Sequence, residues 1–153
     1  MLQIKWSIFV IFLLFFLITN RYGKNFSINF EGGEVVFFDQ NMTFFVEVAR
    51  TKRQRNVGLM FRKNLAHNNG MLFIFEQEER HRVWMKDTLI PLDVVFISAQ
   101  EKIVSIIKDL QPCMSPSCHT FIPPEKAKYM LEIMAGTVQN KGIKIGQQLS
   151  LDL

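Results

Sequence analysis

Trp84–Ile97, WMKDTLIPLDVVFI, is the stretch whose reading decides the fold. Past Pro91 it alternates two ways: Leu92, Val94 and Phe96 would share one face of a strand, and Asp93, Val95 and Ile97 the other. An acid on an apolar strand face must be ionised and paired, protonated, or placed at an edge. Just ahead of the strand, Trp84, Lys86, Asp87 and Thr88 gather polar and aromatic groups in five residues.

Outward from this stretch the chain reads as a series of short strands. Gly70–Phe75, GMLFIF, is an apolar run bounded by Asn69 and Glu76, as a buried strand would be. Val83–Thr88 reads as another, broken from Leu92–Ile97 by Pro91. Gln100-Glu101 suits a hairpin turn into Lys102–Lys108, and a Pro- and Cys-bearing loop spans Pro112–Pro124. Tyr129–Ala135 and Gln148–Leu151 are further strands. Upstream, Met42–Ala49 alternates cleanly, and Val35–Phe38 marks a first strand. Thr51-Lys52-Arg53-Gln54 matches a capping box, so a short helix to about Phe61 is expected, with Val57, Met60 and Phe61 on its buried side. Seven or eight short strands with one or two short helices make a mainly β (α+β) domain, a compact sandwich or barrel. The 15 phenylalanines in 153 residues favour strands and a large buried area.

The N-terminus has a different character. Ile8–Ile18, IFVIFLLFFLI, is an unbroken apolar run behind Lys5, and Thr19-Asn20-Arg21-Tyr22 offers no cleavage site of the small-residue kind. An uncleaved signal-anchor at residues 1–24, an apolar helix, is favoured over a cleaved signal peptide. Residues 25–41 then hold a linker and the first strand, and 42–153 the domain. The expected location is the cell envelope, with the domain on the outer side of the membrane, or secretion if the signal is cleaved. A formal net charge of +4 is too mild to imply nucleic acid.

The motif order resembles that of the DUF192 (UPF0127) family of small, often exported prokaryotic domains. The matching residues are Gly58-Leu59-Met60, Arg62, Leu65, Gly70-Met71-Leu72-Phe73, Trp84-Met85-Lys86, Thr88, Pro91-Leu92-Asp93, Phe96, Pro112-Cys113, Cys118, Leu131-Glu132, Ala135-Gly136 and Gly146. The resemblance implies a compact, mainly-β domain and no catalytic residue. Two departures stand out: the family pattern has Asn where this chain has Asp87, and a turn Gly near Gln100-Glu101.

Chemistry could reside in four places. Cys113 and Cys118 are the only cysteines, and so close a pair in an exported chain reads as a disulfide. Zinc with His119, covalent haem and a redox-active pair are weaker alternatives. Arg50, Lys52, Arg53, Arg55, Arg62 and Lys63 form a run without acids. It is a solvated face or, at Arg50, Lys52, Arg53 and Arg55, a contact for anionic lipid or an envelope polymer. Asp93 and Glu132 each sit in an apolar strand; at least one should be buried and paired, with Lys86, Arg62 or the backbone around Thr88 as partners. Trp84 is either a stacking platform or, as favoured, core, and the methionines read as core rather than copper ligands. No cofactor is implied.

The ligand-binding candidates are therefore Arg62, Trp84, Lys86, Asp87, Thr88, Asp93 and Glu132. A non-enzymatic envelope module that binds a ligand or partner fits them best. A hydrolase using Asp93 or Glu132 is the competitor, though no GxSxG, HExxH or triad-like grouping is present. A purely structural accessory domain is the third reading.

Overall fold

Leu92–Ile97 is a strand, and all six of its residues are buried. The computed structural model in which it sits describes residues 28–153. The elements run β1 (Glu31–Phe37), β2 (Met42–Ala49), α1 (Lys52–Val57), β3 (Asn69–Glu79), β4 (Val83–Trp84), β5 (Leu92–Ile97), β6 (Ile103–Leu110), β7 (Thr120–Phe121), β8 (Ala127–Met134), α2 (Thr137–Asn140) and β9 (Leu149–Asp152). Seven strands form one sheet in the order β6-β5-β8-β3-β2-β1-β9, and β4 pairs with β7 apart from it. The domain is mainly β with two short helices, as expected. The large sheet curls into a half-barrel rather than stacking on a second sheet. The apolar helix and signal segment expected at residues 1–24 lie outside the described residues.

Curling follows from where the apolar side chains point. Val35, Phe44, Leu72, Val95, Ile103, Leu131 and Leu149 come from the seven strands of the sheet and meet in one interior cluster. The two edges approach each other at one end, where the Ile103 amide donates to the Gln147 carbonyl (3.0 Å) and the Leu149 amide to the Glu101 carbonyl (3.0 Å). Such closure satisfies backbone groups that an open edge would leave bare. β1 pairs with both β2 and β9, so the folded unit takes in Glu31–Phe37 as well as 42–153.

A second cluster covers the outside of β3, β5 and β8: Met71, Phe73, Leu92, Val94, Phe96 and Met130 lie beneath Leu59, Val83, Met85 and Ile90. This outer layer is where the sequence reading needs correction. The capping box forms at Thr51 and Gln54, but α1 stops at Gly58. Phe61 is not buried; it is 64% exposed, with its φ at +62°. β4 is shorter than Val83–Thr88, and the Pro112–Pro124 loop contributes β7 to pair with it.

Asp93 is 1% exposed and points into the barrel with Val95 and Ile97. A bulge in β6 places Lys108 and Asp109 where one residue would face Asp93. The Asp109 amide donates to Asp93 Oδ1 (2.9 Å), and the Val138 amide, in α2, donates to Oδ2 (2.8 Å). One acid is thus buried and paired, as expected, but through backbone donors of β6 and α2 rather than through Lys86 or Arg62. Arg62 instead pairs with Glu47 at 2.5 Å in a half-exposed bridge.

The two departures from the family pattern fall on the same kind of backbone. Asp87 has φ +54° and Glu101 φ +57°. Gly, Asn and Asp tolerate this left-handed region, so Asp87 suits its position, whereas Glu101 bears a cost of about 1–2 kcal/mol that Gly would not.

Cys113 and Cys118 are joined as a disulfide, with Cα atoms 5.9 Å apart. Both sulfurs are therefore bonded to each other rather than offered as thiolates to zinc or haem. The Cys113 amide donates to the Met85 carbonyl (3.2 Å) and the Asp87 amide to the Cys113 carbonyl (2.9 Å), so the small loop is stitched to the segment after β4.

Two stability outcomes are expected. Reduction of the disulfide should lower stability by about 2 kcal/mol in the chain-entropy picture, without unfolding the domain. Denaturant midpoints with and without reductant, with alkylation confirming the thiols, check this. Asp93→Asn should cost about 2 kcal/mol, because the amide NH2 must face one of two backbone donors. An unchanged midpoint for that variant would mean the two hydrogen bonds contribute nothing.

Candidate functional site

β8 alternates Met130, Glu132 and Met134 outward against Leu131 and Ile133 inward. Glu132 pairs with Met71 of β3 and Val94 of β5, in the middle of the sheet. It is 6% exposed, and no described residue hydrogen-bonds to its carboxyl group. What it faces is a cleft of about 240 Å³. Burial alone pushes its pKa from 4.5 up to about 8, because the charged form loses its water. At neutral pH the group is a carboxylic acid, able to donate one hydrogen bond and accept others.

The walls come from three directions. Phe73 rises from β3, Met130 from β8. Arg55, Val57 and the Gly58–Met60 turn close one side, and Arg82, Trp84, Lys86 and Thr88 the other. Gly58 permits the first wall to come so near: a Cβ there would lie 3.0 Å from the Phe73 ring, at a φ of +45°. Gly70 does the same beneath the floor, since a Cβ would meet the Glu132 carbonyl oxygen at 2.8 Å.

Arg55 is held rigidly. Its guanidinium donates to the carbonyls of Arg50 and Ile74, and sits 5.5 Å from the centre of the Phe75 ring. The His81 ring also stacks on Phe75, with ring centres 3.5 Å apart. Lys86 is half-buried and Arg82 exposed, and no described residue pairs with either. Arg82 is exposed and Arg55 and Lys86 are half-buried, so the cations lie on the outer side of the cleft and the buried acid at its floor.

Four of the seven sequence candidates meet here: Trp84, Lys86, Thr88 and Glu132. Trp84 is not core, as had been favoured; it is 49% exposed, because β4 turns Val83 inward and Trp84 outward. The other three stand elsewhere. Asp93 is on the opposite face of the sheet, inside the barrel. Arg62 pairs with Glu47 beside a shallow groove lined by Ile28, Phe30 and Met60. Asp87 spends its backbone on Cys113 and Phe61 and does not line the cleft. Arg82 was missed, yet the period-two pattern that runs through Trp84, Lys86 and Thr88 starts with it. Of the four cations assigned to an anionic surface, Arg50 is paired with Glu31 at 3.1 Å and Arg55 is bound to backbone carbonyls.

The profile of the DUF192 family, described as "Uncharacterized ACR", matches residues 35–151. The chain belongs to the DUF192 family. Its match covers all of the elements that form the cleft. Among solved structures, one from Sinorhizobium meliloti 1021, described as a proposed transcription regulator, is 31% identical. It superposes with a TM-score of 0.70 over 81% of this chain and 96% of that one. A protein of unknown function from Novosphingobium aromaticivorans DSM 12444 is 27% identical, with a TM-score of 0.70 over 79% and 84%. No curated protein matches the chain.

The raised pKa makes a test of the floor. Between pH 4.5 and about 8 the unfolded chain has released the Glu132 proton and the folded chain still holds it. Parent stability therefore falls with rising pH across that window. Glu132→Gln removes the penalty, so it should match the parent below pH 4.5 and exceed it by a few kcal/mol, in order of magnitude, at pH 8. Denaturation midpoints at pH 4 and pH 8 decide it; a loss of stability at pH 8 would mean that the carboxyl is paired after all.

Proposed function

We propose that this DUF192 domain is an exported envelope module that binds a small ligand in the cleft floored by Glu132, without turning it over. One observation carries the binding reading: a carboxyl group buried in the middle of a sheet, without a partner among the described residues, and open to a cleft. Leaving a polar group so placed costs stability unless something else hydrogen-bonds to it. A concave site where apolar side chains and a few convergent polar groups meet is the usual form of a small-molecule site.

Export and tethering are supported by the Ile8–Ile18 run and by the disulfide, which persists in oxidising compartments. The hydrolase reading is weakened. Asp93 lies across the sheet with both oxygens engaged, so the cleft has one carboxyl where acid–base hydrolysis by a carboxyl pair needs two. Of the six cations between Arg50 and Lys63, Arg50, Arg55 and Arg62 are engaged with Glu31, backbone carbonyls and Glu47.

Two measurements test this. Fractionation should find the native full-length protein in the envelope with Cys113 and Cys118 protected from alkylation; soluble cytoplasmic protein with free thiols would refute the location. A thermal-shift screen of the full chain with small sugars, amides and organic acids should yield at least one stabilising compound. Trp84→Ala should abolish that shift while leaving the unliganded melting temperature within a few degrees, since Trp84 is half-exposed.

A further inference from the structure

The chemistry of the cleft narrows its ligand, on the reading that it is a ligand site. The mouth carries three cations: Arg55 from α1, and Arg82 and Lys86 from either side of Trp84. The lining contains one acidic side chain, Glu132, at the floor. Apolar and aromatic side chains, Phe73, Phe75 and Met130 among them, share the lining with these polar groups. We infer that the ligand is a small organic anion: its charged group meets the cations at the mouth, its apolar body lies along the aromatic side chains, and a neutral acceptor at its inner end accepts a hydrogen bond from Glu132.

Each part follows from a placement. A guanidinium already fixed by two backbone carbonyls loses little entropy when it meets an anion, and so Arg55 is preorganised for one. Lys86 and Arg82 have no partner among the described residues, so an arriving anion breaks no existing pair. An apolar inner end would leave the acid unsatisfied, and a second anion there would meet a floor with no cation close enough to hold its pKa down. An acceptor such as a carbonyl oxygen satisfies it. The cleft volume of about 240 Å³ suits a single ring or a short branched chain with these two ends.

The groups facing Glu132 set the sign of the pH dependence. Arg55 lines the cleft with it from α1, and Arg82 and Lys86 from the residues on either side of β4. β3 and β5 present Met71, Phe73 and Val94, and β8 itself Met130; none of these titrates. His81 is stacked on Phe75 and does not line the cleft. When Glu132 ionises, the floor loses its donor and the cleft loses a positive charge, and both changes weaken an anion that carries an acceptor.

Three nearly isosteric probes separate the parts: 4-acetylbenzoate has the anion and the acceptor, 4-acetylbenzamide lacks the charge, and 4-ethylbenzoate lacks the acceptor. Calorimetry on the full-length protein at pH 7 should rank 4-acetylbenzoate first, with the other two at least tenfold weaker. Its affinity should fall about tenfold at pH 9, one unit above the Glu132 pKa of about 8, in the parent but not in Glu132→Gln. Lys86→Met, which keeps the apolar stem, should weaken the two benzoates and leave the benzamide alone. If 4-acetylbenzamide binds as tightly as 4-acetylbenzoate, the anion assignment is wrong and the cleft remains a ligand site. If none of the three binds, and no sugar or amide stabilises the protein either, the ligand-site reading falls as well.

Discussion

The register of β5 against β8 sets the character of both buried acids. Asp93 stands opposite Ile133, and Val94 opposite Glu132. Because side chains alternate along a strand, this pairing sends Asp93 into the barrel and Glu132 out of it. A slip of one residue would turn the faces of one strand over, sending Glu132 into the barrel and Leu131 and Ile133 out of it. The apolar sets on both faces hold the register, since every residue of β5 is buried.

The two carboxyls then differ only in what surrounds them. Asp93 meets two backbone amides made available by irregularity: one is freed by the bulge in β6, the other lies in the first turn of α2. Neither donor has another use there, so the acid and the irregularities stabilise each other. Glu132 sits in regular ladder on both sides, where the amides of Met71 and Val94 belong to the sheet. Nothing local is left to bind it. The same functional group is structural on one face and chemically open on the other, and the difference lies largely in the neighbouring backbone.

How much of this was legible depends on the range of the interaction. The Thr51–Gln54 capping box, the alternation of Met42–Ala49, the Leu92–Ile97 strand and the Cys113–Cys118 pair were all readable, because each is decided within a few residues. The partners of Asp93 lie 16 and 45 residues away, and they exist only once the bulge and α2 are in place. Arg62 looked like a partner for the buried acids by motif, but Glu47 reaches it across the crossover from β2 to β3. Trp84 was misjudged because its strand belongs to a separate ribbon, β4 with β7, which covers the main sheet on one face and meets solvent on the other. A large aromatic on such a ribbon need not be core.

That ribbon also explains why the cleft is built from unequal materials. Its floor is on β8, between β3 and β5, with long ladders on both sides. Its Trp84–Thr88 wall rests on a ladder of two residue pairs, a single bridge from Lys86 to Cys113, and the disulfide. A two-stranded ribbon this short has little stability of its own. The covalent loop and the apolar anchors Val83 and Met85, which sink into the outer core, are what keep it in place. The asymmetry is sensible for a binding site. A floor that must hold an uncompensated acid belongs in the most rigid part of the fold, where relaxation cannot hydrate it. A wall that must admit a ligand belongs in a segment whose opening leaves the barrel intact.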